Sequence, residues 1–175
     1  MRLWHKDLIP VLPRQQLLGQ WRECCCIARN IAEKGTPNHL LVNKIMDYPL
    51  NHFNYYGGLI ICEMARRGYF VNHDNFNKWI QNENGTLPYP YPEYNELFEG
   101  WHNERYLLQC YHNLQEKYDC GGISDTEWEP ILVKVVKIIY PDSNYPADAG
   151  VIATDFNSDN PIIDNGNIWE IRHER

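Results

Sequence analysis

The run from Arg14 to Lys34 constrains this chain most: it contains no proline, and it lies between Pro13 and the terminator Gly35-Thr36-Pro37. Set out at 100° per residue, Leu17, Leu18, Trp21, Cys25, Ala28, Ile31 and Ala32 gather on one side and predict an amphipathic helix. Gln16, Gly19, Glu23 and Cys26 fall on the other side, so Glu23 is read as an exposed carboxylate with Arg22 beside it. Gly19 sits one turn before Glu23, and glycine in a helix interior costs about 1 kcal/mol relative to alanine. Its presence there predicts that something approaches this face.

Two further helices follow from the same reasoning. One begins near Pro49, points Phe53, Tyr56, Ile60, Ile61 and Met64 inward, and ends at Arg66-Arg67-Gly68, where cations and glycine suit a helix C-terminus. Gly57-Gly58 in its middle predicts the close approach of another helix. The other runs from about His102 to Tyr118, with Leu107, Cys110, Tyr111, Leu114 and Tyr118 at helical spacing, and stops at Gly121-Gly122. Leu87-Pro88-Tyr89-Pro90-Tyr91-Pro92 between them is an extended connector. Ser124-x-x-Glu127 resembles a capping box ahead of Ile131, Leu132, Val135, Val136 and Ile139, a stretch whose spacing favours helix while its β-branched content favours strand; helix is the preferred reading. From Pro141 onward the chain is rich in Asp, Asn and Pro and reads as loop or a packed tail. The expectation is an all-α fold, a compact bundle of three main helices, with residues 1–120 as the principal domain and 121–175 as an extension packed on it.

Charge narrows the partners. The net charge is −7, but residues 1–35 carry six basic and three acidic groups, whereas residues 101–175 carry six basic and thirteen acidic groups. A local basic patch is therefore compatible with an acidic chain. No apolar run approaches the roughly 20 residues of a membrane span, and the N-terminus lacks a signal-peptide core, so a cytoplasmic protein of a bacterium or a phage-infected cell, without membrane contact, is expected. The six cysteines form no C-x-x-C pair and are read as reduced core thiols. His102 and His112 lack zinc-ligand spacing, and Asp155-x-Asn157-x-Asp159 departs from a calcium loop at Asn160 and Gly166. No metal and no cofactor are expected.

The chain resembles the pyrimidine dimer DNA glycosylases of the phage endonuclease V type. The resemblance rests on Met1-Arg2, on the block from Gln15 to Glu23 ending in Arg-Glu, on Glu63-Met64-Ala65-Arg66-Arg67-Gly68-Tyr69, and on Asn103-Glu104 through Gln115-Glu116-Lys117. The phrases Leu-Trp-His-x-x-Leu-Ile-Pro and Leu-Pro-Arg-x-Gln-Leu-Leu-Gly-Gln are similar to cellular members of that family. Together these cover most of residues 1–118, and the segment from Cys120 onward has no assigned counterpart.

The resemblance implies an all-α glycosylase that attacks C1′ of a damaged nucleotide with its N-terminal α-amine, forms a Schiff base and cleaves the strand as an apurinic/apyrimidinic lyase. Glu23 matches the family's catalytic glutamate. Met1 is the implied nucleophile, because Arg2 is too bulky a second residue for efficient methionine removal. An α-amine titrates near about 7.7–8.0, so a useful fraction of such groups is neutral in the cell. Arg2, Arg22 and Lys117 match phosphate-contacting positions, and Gln15 and Gln16 lie where the family's first helix faces DNA. A family arginine three residues after the glutamate is Cys26 here, and another in the third helix is Asn113. The implied partner is double-stranded DNA carrying a damaged or modified base, bound by a monomer. The same scaffold acting on another modified base, or a silent binding protein whose acidic tail covers the DNA surface, are the alternatives.

Overall fold

The computed structural model describes residues 1–141, and these are all-α, with no strand among the described residues. A 3₁₀ turn over Lys6–Val11 precedes α1 (Arg14–Lys34), and a second over Asn43–Asp47 leads into α2 (Leu50–Arg66) and α3 (Asp74–Ile80). A third 3₁₀ turn, Tyr94–Glu96, comes before α4 (Glu104–Asp119) and α5 (Asp125–Ile139). The chain divides into two compact units, Met1–Cys110 and a second starting at Tyr111, so the division falls inside α4. The expected loop after Pro141, and the Asp155 segment within it, lie outside the described residues.

In the first unit, α1 starts directly after Pro13 and ends where Gly35 adopts the left-handed conformation (φ 71°) and donates its N–H to the Ile31 carbonyl. Its buried stripe is not the expected one. Leu17, Gln20, Trp21, Cys24, Ile27 and Ala28 are buried, while Cys25 and Ile31 are half-buried and Ala32 is exposed. The stripe turns toward Gln20 and Cys24 because the N-terminal segment seats on a polar side chain, Gln20, that hydropathy alone assigns to solvent. Glu23 therefore borders the core and is half-buried rather than free on the far face.

Helix α2 buries Phe53, Tyr56, Ile60 and Met64 as expected, with Ile61 only half-buried. A Cβ built on Gly57 would lie 2.5 Å from Cζ of Phe76, so the predicted close approach is made by the ring of α3; nothing lies within 4 Å of a Cβ on Gly58. Phe76 also meets Trp21 of α1 and Phe53 of α2 at centroid distances of 5.9 and 5.4 Å. One aromatic of the short α3 thus fills the wedge between the two longer helices. The Leu87–Pro92 connector contains no helix, and the amides of Asn51 and Asn54 donate to the carbonyls of Pro90 and Pro88.

At the end of α2, burial pushes the Glu63 carboxyl up, but hydrogen bonds from Arg66 (2.7 Å) and Arg67 outweigh it and hold its pKa below the ordinary value. Arg67 also donates to the carbonyls of Leu12 (2.7 Å) and Pro10 (3.0 Å), tying α2 to the first 3₁₀ turn. In the second unit, Ser124 and Glu127 form the capping box and α5 is helical. Trp128 stacks on Tyr118 (4.9 Å, 11°) and packs on Tyr111 (5.2 Å), while Ile131, Leu132, Val135 and Val136 continue the apolar stripe. Helical spacing prevails over β-branched propensity because that stripe has aromatic partners on α4.

The cysteines divide evenly. Cys24 and Cys110 are buried and Cys25 is half-buried, but Cys26, Cys62 and Cys120 are exposed, against the expectation of core thiols; all are free.

Candidate active site

The first six residues are fixed almost atom by atom. The Arg2 N–H donates to Oε2 of Glu23 (2.9 Å), and the Trp4 N–H donates to Oε1 of Gln20 (2.8 Å). Tyr106 donates its hydroxyl to the Leu3 carbonyl, and Tyr56 donates to the Trp4 carbonyl (2.7 Å). The Lys6 N–H donates to Nδ1 of His102 (3.0 Å), and the Lys6 ammonium reaches the carbonyls of Tyr94 (2.6 Å), Asn95 (3.1 Å) and Leu97 (3.3 Å). An extended segment has no internal hydrogen bonds, so its buried backbone groups need side-chain partners, and α1, α2, Tyr106 of α4 and His102 just ahead of α4 supply them.

This anchoring sets the position of the chain terminus. The α-amino nitrogen of Met1 lies 3.9 Å from Oε1 of Glu23, the side chains of the two residues being 23% and 36% exposed. The carboxylate divides its work: Oε2 holds the Arg2 backbone, and Oε1 faces the amine. A primary amine beside a half-desolvated carboxylate, with one side open to solvent, is an arrangement for nucleophilic attack with proton transfer.

The other anticipated residues fall in several places. The Arg2 guanidinium lies over the Trp4 ring (5.7 Å) and beside the Cys110 thiol, on which it acts to offset the upward push of burial. Gln15 and Arg22 are exposed on α1, and Gln16 is half-buried with a buried Oε1 that finds no hydrogen-bond partner among the described residues. Lys117 stands in the last turn of α4, in the second unit, half-buried. Apart from the backbone of α1 and the flanking residues, no atom of the described residues lies within 4 Å of a Cβ built on Gly19, so the described residues leave room above that turn.

A groove of about 420 Å³ runs between α1 and α3, and Arg22, the residue before Glu23, is part of its lining. Arg22, Cys26 and Arg29 form one wall, Asn75, Lys78 and Trp79 the other, with Trp21 and Cys25 completing the lining. Among the described residues no group of three or more His, Cys, Asp or Glu could hold a metal, and no helix is long and apolar enough to cross a membrane. Cys24 and Cys25 are poor thiol nucleophiles: burial pushes Cys25 up to about 11 and Cys24 higher still.

Sequence reasoning missed Gln20, Tyr56, Tyr106 and His102 as the groups that hold the N-terminal segment. A glutamine between Leu17 and Cys24 on an apolar stripe was the available signal. It acquires meaning only once the unpaired N–H of Trp4 is placed above it.

Fold and site together define an all-α unit arranged around an N-terminal amine and a glutamate. Residues 1–77 match the family model described as pyrimidine dimer DNA glycosylase, a span containing Met1, Glu23, the α1 wall of the groove and Asn75 of the other wall, but not Lys78 or Trp79. No curated protein and no solved structure matches the chain.

Proposed function

We propose that the chain is a DNA repair glycosylase for damaged pyrimidines with associated apurinic/apyrimidinic lyase activity, acting through the α-amine of Met1. The observation that carries this is the meeting of Met1 N and Glu23 Oε1 at 3.9 Å, next to a segment held by the part-buried Arg2–Glu23 and the buried Trp4–Gln20 hydrogen bonds. The family match over residues 1–77 supplies the substrate class.

In this mechanism the deprotonated amine attacks C1′, the C1′–N bond to the base breaks, and the base leaves with a proton. Loss of the remaining amine proton and opening of the sugar give an imine between Met1 and C1′. Removal of a C2′ proton then expels the 3′ phosphate by β-elimination, and water releases the sugar fragment from the amine. Glu23 Oε1 takes the amine proton during attack and is the base nearest the imine for the second transfer. General acid–base help of this kind is worth roughly 10²- to 10⁴-fold. Arg2, Gln15, Gln16, Arg22 and Lys117 are assigned to DNA contact.

Borohydride reduction on a duplex with an abasic site tests this reading. A covalent protein–DNA adduct whose modified peptide begins at Met1 is expected, together with loss of the adduct when the α-amine is acetylated. An adduct on an internal lysine, or none, overturns it.

A further inference from the structure

We propose that the groove between α1 and α3 is a second DNA subsite, in which Arg29 and Lys78 join Arg22 in holding backbone phosphates of the strand that enters the Met1–Glu23 site. The inference rests on the glycosylase reading and deepens it, by assigning two cations that neither the motifs nor the family resemblance singles out.

Three observations carry it. The groove concentrates positive charge on an acidic protein: its lining includes Arg22, Arg29 and Lys78 and no carboxylate, although the chain carries −7. A local concentration of this sign attracts polyanions whatever the net charge. Its 420 Å³ lies within the roughly 300–1,000 Å³ of small-ligand sites, so it is larger than a crevice between side chains.

Its position is the second observation. Arg22 immediately precedes Glu23, and Arg29 lies seven residues further along α1, about 10.5 Å at 1.5 Å per residue. Successive phosphates of one DNA strand advance only about 3.4 Å along the duplex, so two cations this far apart can each meet a different phosphate. The exposed Cys26 falls between them, where a small side chain leaves the path clear.

Third, the cations are weakly engaged. Arg29 pairs with Glu33 at 3.9 Å, with both side chains about half exposed, and an exposed i,i+4 pair contributes little. Lys78 lies over the ring of Trp79 at 5.1 Å, and neither it nor Arg22 has a carboxylate within ion-pair distance among the described residues. Asn75 adds an amide donor to the same wall. Little must be given up when a phosphate arrives, and the indole holds the lysine stem in place.

The test is the salt dependence of affinity for an abasic-site duplex, measured on the full chain. Replacing Arg29 and Lys78 together by alanine should flatten the plot of log affinity against log salt by about 1.8. Between 50 and 200 mM salt the parent then loses about tenfold more affinity than the variant. The control is Lys34→Ala with Lys44→Ala, two exposed cations outside the groove that remove the same charge. An unchanged slope in the groove variant, or an equal flattening in the control, overturns the subsite while leaving the glycosylase reading intact. Absence of DNA binding by the parent overturns both.

Discussion

Gln20 ties α1 to the N-terminal segment from inside the core. It is buried, it accepts the Trp4 N–H through Oε1, and its Nε2 faces the Cys24 sulfur at 3.7 Å. Gln20→Met keeps length and apolar volume but leaves a buried N–H without an acceptor, a loss of about 1–3 kcal/mol. If Gln20 positions the amine, the trapping rate at saturating DNA should fall while DNA affinity is kept, since Gln20 meets no solvent. A variant that is merely less stable, with trapping unchanged at a temperature where it is folded, would make Gln20 structural only. Glu23→Gln probes the chemistry itself: the amide still accepts the Arg2 N–H, so the fold should hold while turnover drops roughly 10²- to 10⁴-fold. Turnover equal to the parent returns Glu23 to the ordinary surface. Met1 and Glu23 are proposed from a short motif that the sequence itself carries. Gln20, Tyr56 and Tyr106 were not legible there, because their partners are backbone atoms of a segment with no periodicity to read.

Elements show a similar division. Helices α1, α2 and α4 announce themselves through long stripes and glycine or proline ends, and α5 through its capping box. Helix α3 has seven residues, no side-chain cap and only Phe76 and Ile80 buried, too little pattern to detect. Its consequence was visible nevertheless, in the glycine pair of α2. Gly57→Ala should destabilise the protein, because the ~1 kcal/mol gained in helix propensity meets an overpacking cost of about 1–3 kcal/mol against Phe76. Gly58→Ala, where nothing lies within 4 Å, should be neutral or stabilising by up to ~1 kcal/mol. Chemical denaturation of the two variants separates the cases, and equal effects would refute the contact. Gly19→Ala extends the comparison to α1: the same propensity gain with lower activity would show that DNA uses the space above that turn.

Across the molecule, stability depends on joining residues far apart in sequence, and the tie between Lys6 and His102 spans 96 positions. Burial holds His102 well below its ordinary 6.5, with His5 and Lys6 adding to the effect, and burial also lowers His5, whose ring stacks on it at 5.1 Å. The neutral form is required, since a protonated Nδ1 of His102 cannot accept the Lys6 N–H. A base whose folded pKa is depressed binds fewer protons folded than unfolded just below its unfolded value. Its stabilisation is therefore complete above about pH 6.5 and declines as pH falls toward the folded value, by at most about 1.4 kcal/mol per pH unit for each histidine. Glu63 acts in a separate window: its depressed pKa contributes above its ordinary 4.5 and is lost only under more acid conditions. The melting temperature should thus be flat from pH 8 to about 6.5 and fall between 6.5 and 5, before the carboxylates titrate. His102→Gln, which offers an acceptor for Lys6 N–H but no titratable ring, should melt lower at pH 7.5 and lose part of that slope. Curves that run parallel for parent and variant between pH 6.5 and 5 would show that the anchor does not set the acid sensitivity.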